Sequence, residues 1–300
     1  MNVRGRTCIV TGSAQGIGKA IALKLLESGA KVCISDVNET ASKAALEEFK
    51  SRFGKDMVHL VTCDVTNKEQ FLKLFDEAEQ FFHVKCIDVL VNNAGVNEKF
   101  GWRKCMDVNI MGVMTGGEIA MDRMSNSPSK GTIINVASTA ALLTGVREMI
   151  GYSVSKHGVV AYTRGVAADF TEHGVMMKAI CPLWVDTELV STGIESGSKE
   201  LASKIKGSIK RTGGLLSPAD IAESFFKLLT ECENGTVLYS AKDTPCIIIP
   251  NVENILLMLL TIMAKIVGKL QSKTILRVGD QKLFMVFLTI LILLVVAIMF

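Results

Sequence analysis

The chain has 300 residues, a net charge of only +3 and 49% hydrophobic residues. This length is enough for one large α/β domain with a substantial core. Before residue 260 there is no long basic run interleaved with aromatic residues, which argues against nucleic acid as a partner. The eight cysteines form no Cys-x-x-Cys pair and the four histidines have no ligand spacing, so buried thiols and no metal are expected. No apolar signal segment precedes the first strand, so residues 1–250 are expected to fold in the cytoplasm.

A glycine-rich turn lies between the first predicted strand, 7–10, and a helix predicted over 19–28. From Thr11 to Gly18 it reads Thr-Gly-Ser-Ala-Gln-Gly-Ile-Gly. Glycines let the backbone come close to a pyrophosphate, and the helix N-terminus offers free N–H groups. An ordinary tight turn has the same composition. The order of strand, turn and helix is nevertheless the context that a dinucleotide-binding loop requires.

The second predicted strand, 31–35, ends at Asp36, eighteen positions after Gly18. A carboxylate there can accept hydrogen bonds from the adenosine ribose hydroxyls and would repel a 2′-phosphate. No cation follows it, because the next residues are Val37 and Asn38. NAD is therefore predicted in preference to NADP.

Strands and helices continue to alternate as far as residue 240. This alternation predicts a Rossmann-type, doubly wound, seven-stranded parallel sheet in a single α/β domain. Ligands of such sheets bind beyond the carboxyl ends of the strands, so polar residues at those ends are candidates for one cleft. The further strands are predicted at 57–63, 89–91, 132–136, 176–181 and 236–239, the helices at 68–82, 102–124, 151–173 and 218–231, and the strand-end residues are Asp36, Asp64, Asn92, Ser138 and Pro182.

Tyr152 and Lys156 are four residues apart in a predicted helix, so their side chains share one face. A cation within a few Å favours the ionised form of a phenol, whose ordinary pKa is about 10. A phenol tuned in this way can exchange a proton with an alcohol or a ketone near neutral pH. Tyr-x-x-x-Lys alone also occurs as an exposed helix pair. Its position after the ordered strand-end residues favours catalysis.

Over residues 1–245 the chain resembles the short-chain dehydrogenase/reductase family. Six motifs occur in the order that the family has them: Thr-Gly-x-x-x-Gly-Ile-Gly, Asp-Val, Asn-Asn-Ala-Gly, Asn, Ser and Tyr-x-x-x-Lys. Within the family the chain resembles the enzymes that oxidise prostaglandins, in stretches at 10–18, 92–97, 155–158 and 179–182. The resemblance implies an NAD-dependent alcohol dehydrogenase that transfers a hydride to NAD⁺. It also implies a homodimer.

The resemblance implies a role for each matching residue. Tyr152 is the general acid/base, Lys156 lowers its pKa and holds the nicotinamide ribose, and Ser138 binds the reacting oxygen. Asn109 holds a water molecule in a proton relay. The remaining implied cofactor contacts are Gly12, Gln15, Gly16, Ile17 and Gly18 at the pyrophosphate, Asp36 and Asn92 at the adenosine ribose, Asp64 and Val65 at the adenine, and Val185 and Thr187 at the carboxamide.

Two positions depart from the pattern of the family. Leu183 follows Pro182 where the family usually has Gly, so the loop near the nicotinamide is expected to differ. Met149 stands where the prostaglandin-oxidising enzymes have a Gln that contacts substrate, and the segment from Ser138 to Tyr152 is one residue longer. Prostaglandin specificity therefore does not transfer directly to this chain.

The substrate is predicted to be a lipophilic secondary alcohol of the prostaglandin or hydroxy fatty acid type. A steroid or retinoid alcohol, or ketone reduction on the same fold, is the alternative. A non-catalytic NAD-binding scaffold is less favoured, because it would not need Ser138, Tyr152 and Lys156 together.

The stretch 191–214 is rich in Gly, Ser and Lys and is predicted to be a mobile lid. Half of the apolar residues near the reaction centre are expected to be core, and Trp184 is the best candidate for substrate contact. The apolar residues near the reaction centre in sequence are Leu142, Leu143, Val146, Met149, Ile150, Leu183, Trp184 and Leu189.

The resemblance ends near residue 250. Residues 251–282 carry a basic stripe with a cation at every fourth position from Lys265 to Arg277, which predicts a helix lying on an anionic membrane surface. Residues 283–300 contain no charge, Pro or Gly, and as a helix they would span about 27 Å, close to an endoplasmic reticulum bilayer. A buried core helix is the alternative, but such helices are seldom uniformly apolar. The sequence therefore predicts a membrane tail anchor on a cytoplasmic catalytic domain.

Overall fold

A computed structural model describes residues 1–142, 147–169, 173–242 and 246–250. The chain divides into two units, Met1–Ile249 and Pro250–Phe300. Among the described residues no helix is long and apolar enough to cross a membrane. The predicted basic segment, 251–282, and the predicted tail anchor, 283–300, both lie outside the described residues and stay predictions.

The first unit is built on an eight-stranded sheet with the strand order β3-β2-β1-β4-β5-β6-β7-β8. Strands β1 to β7 are parallel, whereas β8 is antiparallel to β7 at the edge. The predicted doubly wound sheet of seven parallel strands is thus confirmed, whereas the antiparallel eighth strand among the described residues was not predicted. The eighth strand has only two residues, too few for an alternating pattern. The strands are β1 Thr7–Thr11, β2 Lys31–Ser35, β3 Val58–Leu60, β4 Val89–Asn92, β5 Thr132–Val136, β6 Met176–Pro182, β7 Val237–Ser240 and β8 Ile247–Ile248.

Helices follow most strands and cover both faces of the sheet. Two of them, α3 and α9, have the predicted bounds, while α2, α7 and α8 were not predicted. In α2 only Ser42, Ala45 and Phe49 are buried, a stripe too narrow to stand out from its polar surroundings. The helices are α1 Gly16–Glu27, α2 Glu39–Phe53, α3 Lys68–Phe82, α4 Gly101–Met106, a π-helical segment Asp107–Met111, α5 Gly112–Ser125, α6 Ile150–Asp169, α7 Glu188–Ser196, α8 Lys199–Arg211 and α9 Pro218–Glu231.

The core lies on the two faces of the sheet, because successive strand residues point in opposite directions. In β1, Val10 packs into a cluster with Leu25 of α1 and Phe225 of α9. Its neighbour Ile9 packs into the other cluster, with Phe71 of α3. All five of these apolar residues are fully buried, and each stabilises the fold by about 1.5–3 kcal/mol. The two layers hold the strand ends in fixed positions.

The crevice of the sheet opens between β1 and β4. These strands pair with each other, but the chain leaves them on different sides of the sheet order. Such a switch point separates the loops that follow the strands and leaves space beyond the carboxyl ends. The glycine-rich turn follows β1, and Ser138 follows β5, so both reach this space.

Candidate active site

Two cavities occupy the carboxyl edge of the sheet. The first has a volume of about 660 Å³ and contains the glycine-rich loop, Asp36 and Asp64 in its wall. The second has a volume of about 770 Å³ and extends toward α7 and α8. The two cavities meet at a common wall made of Ser138, Tyr152, Leu183, Leu189 and Val190. A ligand in one cavity can therefore reach a ligand in the other beside the Tyr152 hydroxyl.

The glycines of the first turn serve close backbone packing. Gly12 and Gly16 have φ values of +63° and +56°, which side chains rarely adopt. A Cβ atom on Gly18 would collide with the carbonyl oxygen of Gly12, so Gly18 lets α1 approach β1 and does not line the cavity. Helix α1 begins at Gly16 without a side-chain cap, which leaves its first N–H groups to bind an anion.

Asp36 lies in the wall of the first cavity at the end of β2. Its carboxylate accepts hydrogen bonds from the backbone N–H groups of Ala14, at 3.1 Å, and Asn38, at 3.0 Å. Asp64 lies at the same edge; partial burial would raise its pKa, but hydrogen bonds from Thr66 outweigh burial and lower it. Two fixed carboxylates therefore stand beside the uncapped helix. This set fits a dinucleotide whose pyrophosphate lies on α1 and whose ribose hydroxyls reach Asp36.

Asn92 does not line the cleft, contrary to the prediction. Its side chain is buried and donates to Asn135 Oδ1 at 2.9 Å and to the carbonyl of Val113 at 3.3 Å. The next residue, Asn93, lines the first cavity and donates to the carbonyls of Thr11 and Gly12. Consecutive residues of an extended chain point in opposite directions, so Asn92 points away from the cleft and Asn93 points toward it.

Asn109 lies in the π-helical segment and is fully buried. Its Oδ1 accepts from the N–H of Val96 at 2.8 Å, and its Nδ2 donates to the Val96 carbonyl at 2.9 Å and to Ser155 Oγ at 3.1 Å. Both amide N–H groups are therefore in use. The side chain ties the loop after β4 to α6, and the predicted water relay through this residue stays a prediction.

Tyr152 and Lys156 share one face of α6, as their spacing predicted. The Lys156 Nζ lies 5.9 Å from the centroid of the Tyr152 ring and donates to the carbonyl of Val136 at 2.8 Å. Burial raises the pKa of Tyr152, and a hydrogen bond with Ser138 opposes this rise. Burial also lowers the pKa of Lys156 to about 8. Burial thus favours the neutral form of each side chain, and the lowering of the Tyr152 pKa by Lys156 stays a prediction.

Ser138 connects the catalytic pair to the sheet. Its hydroxyl bonds the phenol of Tyr152 and accepts the N–H of Ala140 at 3.1 Å, which caps a short 3-10 turn, Thr139–Ala141. The side chain is therefore held at the end of β5 by the turn that follows it. A substrate oxygen placed between Ser138 and Tyr152 would meet two hydroxyl groups.

Most of the other predicted cofactor contacts line the first cavity. Val185 forms an isolated parallel β-bridge with Leu216, and Thr187 directly precedes α7. Across the cleft from α7, Gln15 Nε2 donates to Glu188 Oε2 at 2.6 Å. The predicted contacts in this wall are Gly12, Gln15, Gly16, Ile17, Asp36, Asp64, Val65, Tyr152, Lys156, Val185 and Thr187.

The second cavity is lined by all four residues predicted for substrate contact: Ser138, Met149, Tyr152 and Trp184. The stretch predicted as a mobile lid is helical, since it contains most of α7 and all of α8. Trp184 Nε1 donates to Ser208 Oγ of α8 at 3.0 Å, which fixes the indole against that helix. Ile150 is 50% exposed and does not line the cavity. Two other predicted residues, Leu143 and Val146, lie outside the described part of the chain.

Leu183 replaces the expected glycine without backbone strain. Its N–H donates to the carbonyl of Ser240 at 2.9 Å, continuing the pairing of β6 with β7. It is not among the residues with a positive φ. The Leu183 side chain is instead a wall of both cavities, so the departure from the family pattern changes the surface that a substrate meets.

Glu98 belongs to the site although no sequence pattern marked it. Its Oε2 accepts the backbone N–H of Tyr152 at 2.7 Å, at the start of α6. It also lines the second cavity. The only sequence signal is a carboxylate shortly after the Asn-Asn-Ala-Gly motif, and its partner is 54 residues away. The described residues contain no cluster of three or more His, Cys, Asp or Glu able to hold a metal ion.

Comparison with known proteins decides the family. A family model described as short chain dehydrogenase matches residues 6–196. The chain belongs to this family. Bovine (Bos taurus) 15-hydroxyprostaglandin dehydrogenase (NAD⁺) is 36% identical over 249 residues, which cover 79% of this chain and 91% of the bovine protein. The sequence resemblance to the family is therefore confirmed.

Other members of the family differ in their named substrates. The 3beta-hydroxysteroid dehydrogenase 2 of Eggerthella lenta is 36% identical over 187 residues, covering 59% of this chain and 70% of that enzyme. The crystal structure of levodione reductase matches with a TM-score of 0.72 and 25% identity, covering 79% of this chain and 96% of the reductase. Relatives with the same identity to this chain are thus named for different substrates, a hydroxyprostaglandin and a hydroxysteroid.

Proposed function

We propose that this protein oxidises a secondary hydroxyl group of a lipophilic substrate to a ketone with NAD⁺. One observation carries the proposal: the first cavity, which contains the glycine-rich loop and Asp36, and the larger second cavity share Ser138 and Tyr152. An alcohol entering from the second cavity meets the acid/base pair at the border with the cofactor. A non-catalytic scaffold would not need this shared wall.

NAD is the cofactor that the residues and the relatives both support. When bound, it supplies the hydride acceptor. Asp36 would bind its ribose hydroxyls and would repel the 2′-phosphate of NADP. The uncapped N-terminus of α1 and the close backbone around Gly12 and Gly16 would hold the pyrophosphate. The name of the bovine relative includes NAD⁺, in agreement with the prediction from Asp36.

The residues of the chain supply the proton transfer and the orientation. Ser138 hydrogen-bonds the substrate oxygen, and Tyr152 takes the hydroxyl proton as the hydride departs. The buried Lys156 ammonium stabilises the phenolate that this step requires, in a site from which water is largely excluded. Asn109 and Glu98 hold the loop and the helix that carry these groups. The reverse direction uses the same groups to reduce a ketone.

We propose a prostaglandin or hydroxy fatty acid as the substrate. The greater part of the second cavity is apolar, with Met149, Trp184, Leu201 and Ile205 in its wall. The bovine relative is named for a hydroxyprostaglandin, and the match covers nearly all of it. A steroid or retinoid alcohol is the alternative, since the Eggerthella lenta relative is named for a hydroxysteroid.

Replacing the catalytic phenol tests the proposed function. Tyr152→Phe is expected to lower the oxidation rate by at least a thousandfold, because it removes the proton acceptor and leaves the ring in place. NADH absorbance would be followed with a panel of prostaglandins, hydroxy fatty acids and hydroxysteroids. Tyr162→Phe on the same helix is the control, because its hydroxyl makes only one long contact, 3.5 Å to the carbonyl of Met114. Equal turnover by Tyr152→Phe and the unaltered protein would exclude the catalytic assignment.

We also propose that the enzyme is a homodimer held at a membrane. Exposed apolar side chains gather on α4, the π-helical segment and α6: Trp102, Met111, Ile150 and Val154 are each about half exposed. Exposed apolar side chains on elements that contact one another favour a second copy of the chain at this surface. The uncharged segment 283–300 supports membrane insertion, with the endoplasmic reticulum as the preferred site and the catalytic unit in the cytoplasm.

A further inference from the structure

One face of α8 forms the wall of the second cavity farthest from the sheet. Leu201, Ile205 and Ser208 recur at helical spacing and line the cavity. Leu201 and Ile205 are almost fully buried, and Ser208 holds Trp184. Lys204 and Arg211, two helical turns apart, flank this apolar strip and also line the cavity. The wall is thus apolar in the middle and basic at its margin.

Three of the charged side chains around this cavity already have partners. Glu98 accepts the N–H of Tyr152. Glu148 accepts both the N–H of Ser198, at 3.1 Å, and its hydroxyl, at 2.8 Å. Lys204 pairs with Glu200 at 2.6 Å. Lys204 thus has an ion-pair partner, and the two carboxylates are held in place by neutral donors.

Arg211 differs from them. Within the described part of the chain its guanidinium has no carboxylate or carbonyl partner, and it lies at the C-terminal end of α8. Its Nη1 lies 3.4 Å from the point that a Cβ atom on Gly207 would occupy, so the side chain folds back along the helix where Gly207 leaves room. Lys99, the other unpaired cation in the wall, lies 5.8 Å from the centre of the Phe100 ring. The wall of the cavity therefore contains one guanidinium that has no ion-pair partner among the described residues.

We propose that Arg211 binds the carboxylate of an acidic lipid whose hydroxyl group lies at Ser138 and Tyr152. A guanidinium offers two parallel N–H donors that match a carboxylate, which a single ammonium such as Lys99 does not. The apolar strip along α8 would hold the chain between the two polar ends. This assignment rests on the proposed function for the hydroxyl end. It separates hydroxy fatty acids and prostaglandins from steroid and retinoid alcohols, which lack the carboxylate.

A pair of substrates differing only at the acid tests the assignment. A prostaglandin with a 15-hydroxyl group would be compared with its methyl ester, using the full chain and NADH absorbance. Arg211→Gln is expected to lower kcat/KM for the free acid at least tenfold through KM, and to leave the ester within twofold. Lys210→Gln is the matched control, because Lys210 is exposed on the same helix and does not line the cavity. Equal losses for acid and ester, no loss, or a loss that follows Lys99→Gln instead would overturn the proposal.

Binding of a lipid without a hydroxyl group separates this subsite from the catalytic assignment. Calorimetry with oleate and methyl oleate is expected to show oleate affinity reduced at least tenfold by Arg211→Gln and unchanged by Lys210→Gln. This result would support the subsite even if no alcohol in the panel is oxidised. Equal oleate affinity in all three proteins would exclude the subsite and leave the proposed oxidation standing.

Discussion

Lys156 is an amine with 3% exposure, and it is the residue on which burial has the clearest energetic effect. Its pKa falls from an ordinary 10.5 to about 8. One pKa unit corresponds to about 1.4 kcal/mol, so the charged amine costs about 3 kcal/mol of folding free energy at neutral pH. A residue that destabilises the fold to this extent is typical of a functional position.

Lys156→Met is expected to stabilise the protein at pH 7 and to lose that advantage as the pH rises. Between pH 8 and about 10.5 the unfolded chain binds the Lys156 proton and the folded chain does not, so the stability of the unaltered protein rises with pH in this window. Below pH 8 the cost is fully present. Urea unfolding of both proteins at pH 7 and pH 10 would measure this cost. The gain in unfolding free energy from Lys156→Met is expected to be about 2 kcal/mol larger at pH 7 than at pH 10. A pH-independent effect of the substitution would contradict the buried, shifted amine.

Spacing predicted which side chains of the site share a face, but not the environment around them. Tyr152 and Lys156 were placed together by a four-residue interval. Their pKa values depend on residues that bury them from other strands and helices, and no interval encodes this burial. Asn92 and Asn93 show the same limit, because a motif names both and only the strand direction decides which one faces the cleft.

Helix α6 is the element on which the chemistry depends, because it carries both Tyr152 and Lys156. The Glu98 carboxylate accepts one of the unpaired N–H groups at its start, and its negative charge also favours this end of the helix dipole. Glu98 is therefore a positioning residue, which acts on the reaction through the orientation of Tyr152. The adjoining Gly151 leaves no room for a side chain beside Trp102 and Glu98, so this helix start is closely packed.

Glu98→Ala is expected to lower kcat about tenfold and Glu98→Gln to restore most of it, because the amide oxygen can accept the same N–H. Loss of a helix cap costs about 1 kcal/mol of stability. Asn67→Ala, which removes the cap of the remote helix α3, provides a matched control: it should lower the melting temperature similarly and leave kcat unchanged. If both alanine variants kept full kcat, Glu98 would be a structural cap only.

Regular elements with a broad apolar stripe were predicted at their true bounds, as α3 and α9 show. Helices α7 and α8 were not, because Gly, Ser and Lys dominate their sequence and only Leu201 and Ile205 of α8 are buried. Their helical form depends on the cavity that they cover. The candidate substrate wall was therefore the part of the site least accessible to prediction.

At the scale of the whole molecule, the sheet and both cavities lie within Met1–Ile249. Every residue assigned to the candidate active site belongs to this first unit. Sequence alone predicts a membrane function for that segment, by its length and its lack of charge. Catalysis and attachment are thus expected to be separable by truncation.

Removing residues 283–300 is expected to move the protein from the membrane fraction to the soluble fraction while NAD affinity stays within twofold. Fractionation of cells, followed by cofactor titration of the released protein, would measure both. A variant with the same apolar residues in shuffled order is the control and should remain at the membrane. A full-length chain that is soluble without detergent would exclude the anchor.

The hydrogen bond between Gln15 and Glu188 joins the glycine-rich turn to the start of α7 across the cofactor cleft. Both residues line the first cavity, so a dinucleotide that enters or leaves along α1 is expected to break this bond. Each catalytic cycle exchanges one cofactor molecule, so the bond opens at least once per cycle. The rate of NADH release is then expected to depend on this single side-chain pair.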